Sequence, residues 1–474
     1  MHKSSREITK LFLGFSMSAW INAVINFVLT PVITRLVDPV NLGKIDLFIT
    51  FCNMFVYAST LGMHQAYMRF FNDLPAGVTK KNLLSFAVRI STFGALLAGV
   101  ICIVFSNHFS IEILGFYDIR IAILMSVFIL ANGFIQIIKT KPRMYGKIIP
   151  YTIIVVAESA FVKIAYLSSV YYKKILSSIA FYVCITILFA LICLIVNSNQ
   201  IFVSVKSITR ESITTIFKYA IPTIPVMFIS NLNSSIPKIF LNHIFDSSNV
   251  GIYAGCLTVV NIIHLIQAGI NVFWGPYVFE NYKNNKEQIQ KVHLVITFVM
   301  CFCGLGLIAG QDIIFYILGE KYRASKIFYA FLLASPICYT VGETLGIGIS
   351  IVKKTYWNIV VVSVALACNC LLCYLLVPKF GNVGASISVM VSSFLMVIIK
   401  SIIGEKYYKV VNSPIKSYGA MILYMLAAIL SFITFTQPIL RILVVLTVLL
   451  VLVIIYYKDL KTFLLNFRYQ RGES

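Results

Sequence analysis

Charge is what this sequence has least of. Only 12% of its 474 residues are Asp, Glu, Lys or Arg, against about a quarter in soluble domains. Acids are scarcer still, 17 against 39 Lys and Arg. There is no polar interval large enough to enclose a core of its own, the longest running over about 197–218. The chain has no G-x-x-x-x-G-K-[ST] phosphate loop, no H-E-x-x-H and no nucleophile elbow, so ATP hydrolysis, zinc peptidase and α/β-hydrolase chemistry are not expected of it. Its 11 cysteines fall almost entirely in apolar runs, as small buried residues do. "CFC" at 301–303 and "CNCLLC" at 368–373 lack partner His or Cys at ligand spacing, so neither a metal nor a cofactor is expected. "MHKSSREITK" leads straight into a full-length apolar run without a small-residue cleavage pattern, and a cleavable signal peptide is not expected.

What is present is apolar. Hydrophobic residues make up 59% of the chain and aromatics 14%. The apolar runs are about 20 residues long, the length of a helix crossing a 30 Å hydrocarbon core, and not the alternating segments of about 10 that build porin-like barrels. Charged and Pro/Gly/Asn-rich breaks divide the chain into about fourteen helices, starting near Leu11, Ile45, Leu83, Ile119, Ile148, Ile175, Tyr219, Val250, Val292, Ile327, Tyr356, Val383, Ser417 and Leu440. The expected fold is all-α and polytopic. The net charge of +22 is first a topology signal. With the N-terminus inside, about two thirds of the Lys and Arg fall in cytoplasmic segments, which places both termini in the cytoplasm and leaves no need for nucleic acid.

The stretch "RLVDPVNLGKI" (35–45) has an echo 208 residues later, "HIFDSSNVGIY" (243–253), matching Asp38 to Asp246, Asn41 to Asn249 and Gly43 to Gly251. The same offset aligns the fifth helix with the eleventh and the sixth with the twelfth. The expected organisation is a six-helix half over 1–197, a cytoplasmic linker over 198–218, a second six-helix half over 219–410, two appended helices over 411–457 and a cytoplasmic tail over 458–474. Six being even, the halves share one orientation and enclose a central cavity, as in alternating-access transporters.

Ionisable groups inside such helices cost at least a few kcal/mol and normally face protein or water. They are Arg89, Glu158, Lys163, Lys238 and Glu343, joined by His264. Glu158, His264 and Glu343 fall nearest the middle of their helices, Lys163 and Lys238 toward the outer end and Arg89 toward the inner. Arg89 and Lys238 could instead snorkel to an interface, Glu158 could pair structurally, and His264 could be a hydrogen-bonded packing residue. Polar stripes accompany them: Ser18, Asn22 and Asn26 on the first helix, Asn231, Ser235 and Lys238 on the seventh, Asn261, His264 and Asn271 on the eighth. Such stripes can be interhelical glue; basic groups within them point to an anionic, phosphorylated ligand.

The segment "LTPVITRLVDPVNLGKIDLFITFCNMFVYASTLGMHQAYMRFF" resembles the opening of the Wzx-type polysaccharide flippases, with an Arg-Leu-x-x-Pro-x-x-x-Gly pattern and a later Leu-Gly-x-x-x-Ala-x-x-Arg from Leu61 to Arg69. "YAIPTIPVMFISNLNSSIPKIFLNHIFDSSNVGIYAGCLTVVNII", "FWGPYVFENY" and "GNVGASISVMVSS" resemble the second half of that family. The resemblance implies the multidrug/oligosaccharidyl-lipid/polysaccharide exporter fold. It implies export of an undecaprenyl-diphosphate-linked oligosaccharide, for O-antigen or a similar surface polysaccharide, from the inner to the outer leaflet of a bacterial inner membrane. Its implied partners are that lipid-linked oligosaccharide, the membrane lipids, and the polymerase and chain-length regulator of the same pathway. Where the family often has Asp-Arg in the seventh helix, this chain has Pro237-Lys238: the cation is kept and its acidic neighbour is lost.

On this reading Arg89 captures the diphosphate, with Arg35, Lys163 and Lys238 available as the halves rock, and Asn22, Asn26, Asn231, Asn261 and His264 lining the cavity. Glu158 or Glu343 would couple movement to a proton or sodium gradient. A multidrug/cation antiporter of the related MATE family is the alternative; a polymerase or ligase would need a large outer loop, and no outer segment of this chain is long enough.

Overall fold

The computed structural model describes residues 5–172, 174–205, 207–352, 354 and 356–472. Among them there is helix and no strand, because every backbone group in a span must find its partner inside its own segment. The chain divides by packing into two compact units, 1–254 and 255–474.

The first unit holds α1 (Ser5–Leu36), α2 (Pro39–Ser59), α3 (Met63–Phe70), α4 (Lys80–Val104), α5 (Ser106–Leu114), α6 (Ile119–Ile138), α7 (Thr140–Met144), α8 (Ile148–Tyr171), α9 (Ile175–Ile201), α10 (Arg210–Ala220), α11 (Thr223–Ile244) and the start of α12 (Ser247–Val260). Here α1 packs along α8, α4 along α6, and α2 against α6, α4 and α11. The fifth and sixth expected helices, divided in sequence only by "SVYYKKILS", are distinct as α8 and α9.

The second unit holds the rest of α12, then α13 (His264–Asn281), α14 (Lys286–Ala309), α15 (Gln311–Ile317), α16 (Lys326–Leu345), α17 (Ile347–Ile351), α18 (Trp357–Tyr407), α19 (Pro414–Ile433) and α20 (Pro438–Gly472). Here α18 is two helices joined at Gly381, whose φ of 52° and ψ of −129° suit a residue without a side chain. Both arms are long enough to cross a bilayer. This explains "GNVGASISVMVSS": Gly381 makes the reversal, and a Cβ on Gly384 would lie 2.4 Å from the Leu376 carbonyl oxygen.

Ten described helices are long and apolar enough to span a membrane, or eleven with the bent α2–α3 pair as one. The eighth expected span falls short: Ser247–Val260 is a shorter apolar helix. The protein is a multi-pass membrane protein of helical type. The eighth expected span is not one helix. It breaks at Asn261–Ile263, where amides reach back three residues and not four (Ile262 to Val259, Ile263 to Val260, His264 to Asn261), a tightened turn in a run of β-branched residues that crowd a helix.

The break between α2 and α3 has a clear cause. Leu61 (φ 47°) and Gly62 (φ 70°) are both left-handed, and the helices bend by 49°. A side chain at Gly62 would meet the Ala220 carbonyl oxygen at 2.3 Å, and one at Gly94 the Ser59 carbonyl oxygen at 2.2 Å. The Leu-Gly of the motif at 61–69 is thus the turn itself. Its Arg69 closes α3 and pairs with Asp73 at 3.3 Å on the surface, a contact worth little by itself.

Candidate functional site

The two echoed stretches build the same local structure. Asp38 caps α2 by accepting from the Val40 amide at 3.2 Å, with Pro39 opening the helix. Asp246 accepts from the Asn249 amide at 2.9 Å and from its side-chain nitrogen at 3.0 Å, ahead of α12. They also face each other. A Cβ on Gly43 would fall 1.7 Å from the carbonyl oxygen of Ser247, and one on Gly251 would fall 1.9 Å from that of Pro39. Ser247 is the 208-residue counterpart of Pro39, and Gly251 of Gly43, so the contact is reciprocal. Neither helix backbone could come this close with any side chain larger than hydrogen.

Two turns beyond its cap, α2 turns Asp46 inward, 7% exposed. Lys238 of α11 brings its Nζ to 2.7 Å from Asp46 Oδ2, a charge contact lying off the hydrogen-bonding direction, and donates to Thr50 Oγ1 at 3.4 Å. From α8, Tyr166 donates its hydroxyl to Asp46 Oδ1 at 3.2 Å. One turn before it, Lys163 is 5% exposed, lies within electrostatic reach of Asp46 and sits 5.8 Å from the Tyr166 ring centre. One carboxylate therefore serves two ammonium groups, and the cluster carries an excess positive charge away from water, where a charge is costly without a partner. Next to Lys238, Pro237 has no amide hydrogen and removes one rung of the α11 ladder.

Of the residues expected to act, Lys163 and Lys238 are thus brought together, and Asp46 is the group the sequence reading missed. It lies one residue into the helix expected from Ile45, too near its start to read as an intramembrane charge. The cap at Asp38 was the available signal, because a helix starting at Pro39 carries residue 46 two turns in. Arg89 is elsewhere: it is exposed and donates Nη2 to the Val203 carbonyl at 3.2 Å, while Ser85 on the same helix donates to Ile201 and Val203 carbonyls at 2.6 and 2.9 Å. Arg89 and Ser85 close the end of α9. Arg35 is exposed in the last turn of α1. Asn22 and Asn26 are half-buried on α1, and Asn22 Oδ1 is buried without a hydrogen-bond partner. Asn231 donates to the Met227 carbonyl of its own helix at 2.8 Å. Asn261 and His264 sit exposed at the α12–α13 break, with His264 Nδ1 against Gln267 Oε1. The side chains of Ser18 and Asn271 lie outside the described residues.

Both expected coupling acids are paired. Glu158 of α8 lies 3.1 Å from Lys139 Nζ and accepts from Gln136 Nε2 at 2.9 Å, and Gln136 in turn donates to Asn132 at 3.0 Å. In the second unit, Glu343 of α16 meets Lys400 of α18 at 2.5 Å. It stands in the last turn of α16, away from the middle of the helix. Lys139 and Lys400 read in sequence as cytoplasmic orientation charges; their long stems let them reach back along the helix to a carboxylate. Another unforeseen group is His293, fully buried between Thr344 Oγ1 (2.8 Å) and Ser417 Oγ (3.0 Å), which ties α14 to α16 and α19.

A multi-pass helical fold with partly buried ion pairs joining its helices, and a cationic cluster next to a reciprocal glycine crossing, defines an α-helical integral membrane protein with charge built into its interior. The chain belongs to the polysaccharide biosynthesis protein family, whose model matches residues 9–282. Over 185 residues it is 27% identical to the capsular polysaccharide biosynthesis protein CapF of Staphylococcus aureus. That match takes in 37% of this chain and 47% of CapF, so the chain spans about half the length of this curated relative. The fold is that of a lipid II flippase MurJ in an inward closed conformation, with a TM-score of 0.71 and 13% identity over 94% of this chain and 99% of that one. An inward-facing multidrug resistance MATE family transporter of the MOP superfamily follows at a TM-score of 0.57 and 14% identity, over 82% and 97%. The exporter fold that the resemblance implied is thus the one observed.

Proposed function

We propose that this protein flips an undecaprenyl-diphosphate-linked oligosaccharide, the repeat unit of an O-antigen, capsule or similar surface polysaccharide, from the cytoplasmic to the outer leaflet. It would do so in the inner membrane, with both termini cytoplasmic, through fourteen spans arranged as two six-helix halves and two further helices around a central cavity. It acts as a transporter and not as an enzyme. The observation that carries this reading is the cluster of Lys163 and Lys238 about the single carboxylate of Asp46. Two compact ammonium charges held out of water suit a diphosphate, and the family match to polysaccharide biosynthesis supports a glycan behind it.

The polar side chains of Asn22, Asn26, Asn231, Asn261 and His264 would meet sugar hydroxyls, Arg35 and Arg89 would guide the phosphates at the two mouths, and the polymerase and chain-length regulator would take the product. Glu158 or Glu343 would couple the cycle to protons or sodium. A cation antiporter is less favoured, since Asp46, Glu158 and Glu343 are each already paired with a lysine. Complementation of a flippase-null strain tests the reading: the wild-type gene restores surface glycan, and Lys238→Ala at normal expression does not. Full complementation by Lys238→Ala would remove Lys238 from the site.

A further inference from the structure

We propose that Asp46 is a built-in stand-in for the ligand's phosphate: it occupies Lys238 while the site is empty and so latches α11 and α12 onto α2 and α5, and an arriving diphosphate takes over Lys238 and releases the latch. The inference rests on the function proposed above. It assigns a positioning role to Asp46.

Three contacts gather at one end of the same helices, where α2 begins and α11 ends. The glycine crossing of Gly43 and Gly251 brings backbone against backbone. Next to it is the Asp46 contact to Lys238 at 2.7 Å. Third, Asn242 of α11 donates to the Glu112 carbonyl at 2.7 Å and to its carboxylate at 2.8 Å, with His243 Nδ1 3.6 Å from the same carboxylate. Lys44 steadies this end by donating to the Leu114 carbonyl at 3.1 Å, at the close of α5. The glycine crossing depends on fit alone and offers no charge for a ligand to act on. The Glu112 contacts lie at the rim, where His243 is largely exposed and water competes. Only the Asp46 contact is both charged and buried, so only it can be exchanged for another anion.

The exchange is favoured by count of charge. Two lysines face one carboxylate, so a ligand carrying two phosphates leaves neither Lys163 nor Lys238 unpaired, whereas Asp46 can neutralise one. Once Lys238 has turned to the ligand, Asp46 keeps Tyr166 and Lys163 within reach. The latch is therefore lost without stranding the acid. A neutral ligand could do none of this.

The experiment is cross-linking in proteoliposomes. Cysteines replace Glu112 and His243, with the exposed Cys184 changed to Ser, and a short bis-maleimide reports how often the two ends meet. Asn242 keeps its bond to the residue-112 carbonyl in this background. With Asp46 present, cross-linking is efficient, and vesicles containing undecaprenyl diphosphate lower its rate by about tenfold, as a difference of about 1.4 kcal/mol would; undecaprenol, without phosphate, leaves it unchanged. Asp46→Asn lowers the rate by a similar factor with no lipid added, and Asp46→Glu restores it, which guards against a folding defect. An unchanged rate in Asp46→Asn overturns the latch. If undecaprenyl diphosphate binds and the rate does not fall, the exchange is overturned while the flippase reading stands. If the lipid is neither bound nor flipped, the flippase reading itself fails, and with it the exchange.

Discussion

Replacing Gly43 by Ala adds a single methyl group at the tightest point in the first unit. That carbon would lie 1.7 Å from the Ser247 carbonyl oxygen, 2.8 Å from its carbon and 2.9 Å from the Gly251 nitrogen. All three are backbone atoms, so no side-chain rotation relieves the clash and the helices must part by more than an ångström. Overpacking of this kind costs about 1–3 kcal/mol, and parting α2 from α12 also strains the neighbouring Asp46 contact to Lys238. Alanine's better helix propensity returns about 1 kcal/mol at most. Gly306→Ala in α14 is the matched control, since a Cβ there meets nothing within 4 Å. Thermal unfolding of the detergent-solubilised protein should show Gly43→Ala lowered by a few degrees and Gly306→Ala unchanged or slightly raised, with Gly251→Ala following Gly43→Ala. If both crossing glycines tolerate alanine as Gly306 does, the reciprocal contact does not hold these helices together.

Exchanging the charges should rescue function: Asp46→Lys and Lys238→Asp each fail to restore surface glycan to a null strain, and the double variant restores part of it, read by glycan staining. Glu343→Gln leaves the buried end of Lys400 unpaired and should destabilise the protein by about 1–3 kcal/mol, seen as a lowered unfolding temperature. If Glu158→Gln and Glu343→Gln both transport normally and without any pH or sodium effect, neither couples the cycle. At the α2–α3 turn, Leu61→Gly relieves a left-handed backbone and should stabilise by about 1 kcal/mol, whereas Gly62→Ala, with its Cβ 2.3 Å from the Ala220 oxygen, should destabilise.

The all-helical, multi-pass architecture was legible in the sequence because a 30 Å apolar layer sets the length of each run; the helix starts capped by Asp38 and Asp246 come several residues earlier than the apolar runs suggest. The echo at 208 residues was legible as a pattern of Asp, Asn and Gly; that the two copies touch each other was not, because a glycine in sequence does not say which backbone it admits. Lys163 and Lys238 were recognised as charges needing a reason. Their shared partner Asp46 lies one residue past the helix start expected at Ile45 and does not stand out there, and the lysines that pair with Glu158 and Glu343 were lost among orientation charges. Side-chain reach decides these pairs, and it acts across helices that linear spacing does not bring together. The break at Asn261–Ile263 had no proline or glycine to mark it.

Movement of a lipid-linked glycan from one leaflet to the other is the step proposed for this protein, and it can be followed in a purified system. In sealed proteoliposomes loaded with undecaprenyl-diphosphate-linked oligosaccharide, a lectin or glycosidase outside reports how much glycan becomes accessible with time. The purified protein should speed this exposure well above that of protein-free vesicles, and Lys238→Ala and the double variant of Lys163→Ala with Lys238→Ala should abolish the gain. Exposure no faster than in protein-free vesicles, with the gradient supplied and the protein folded, would contradict it.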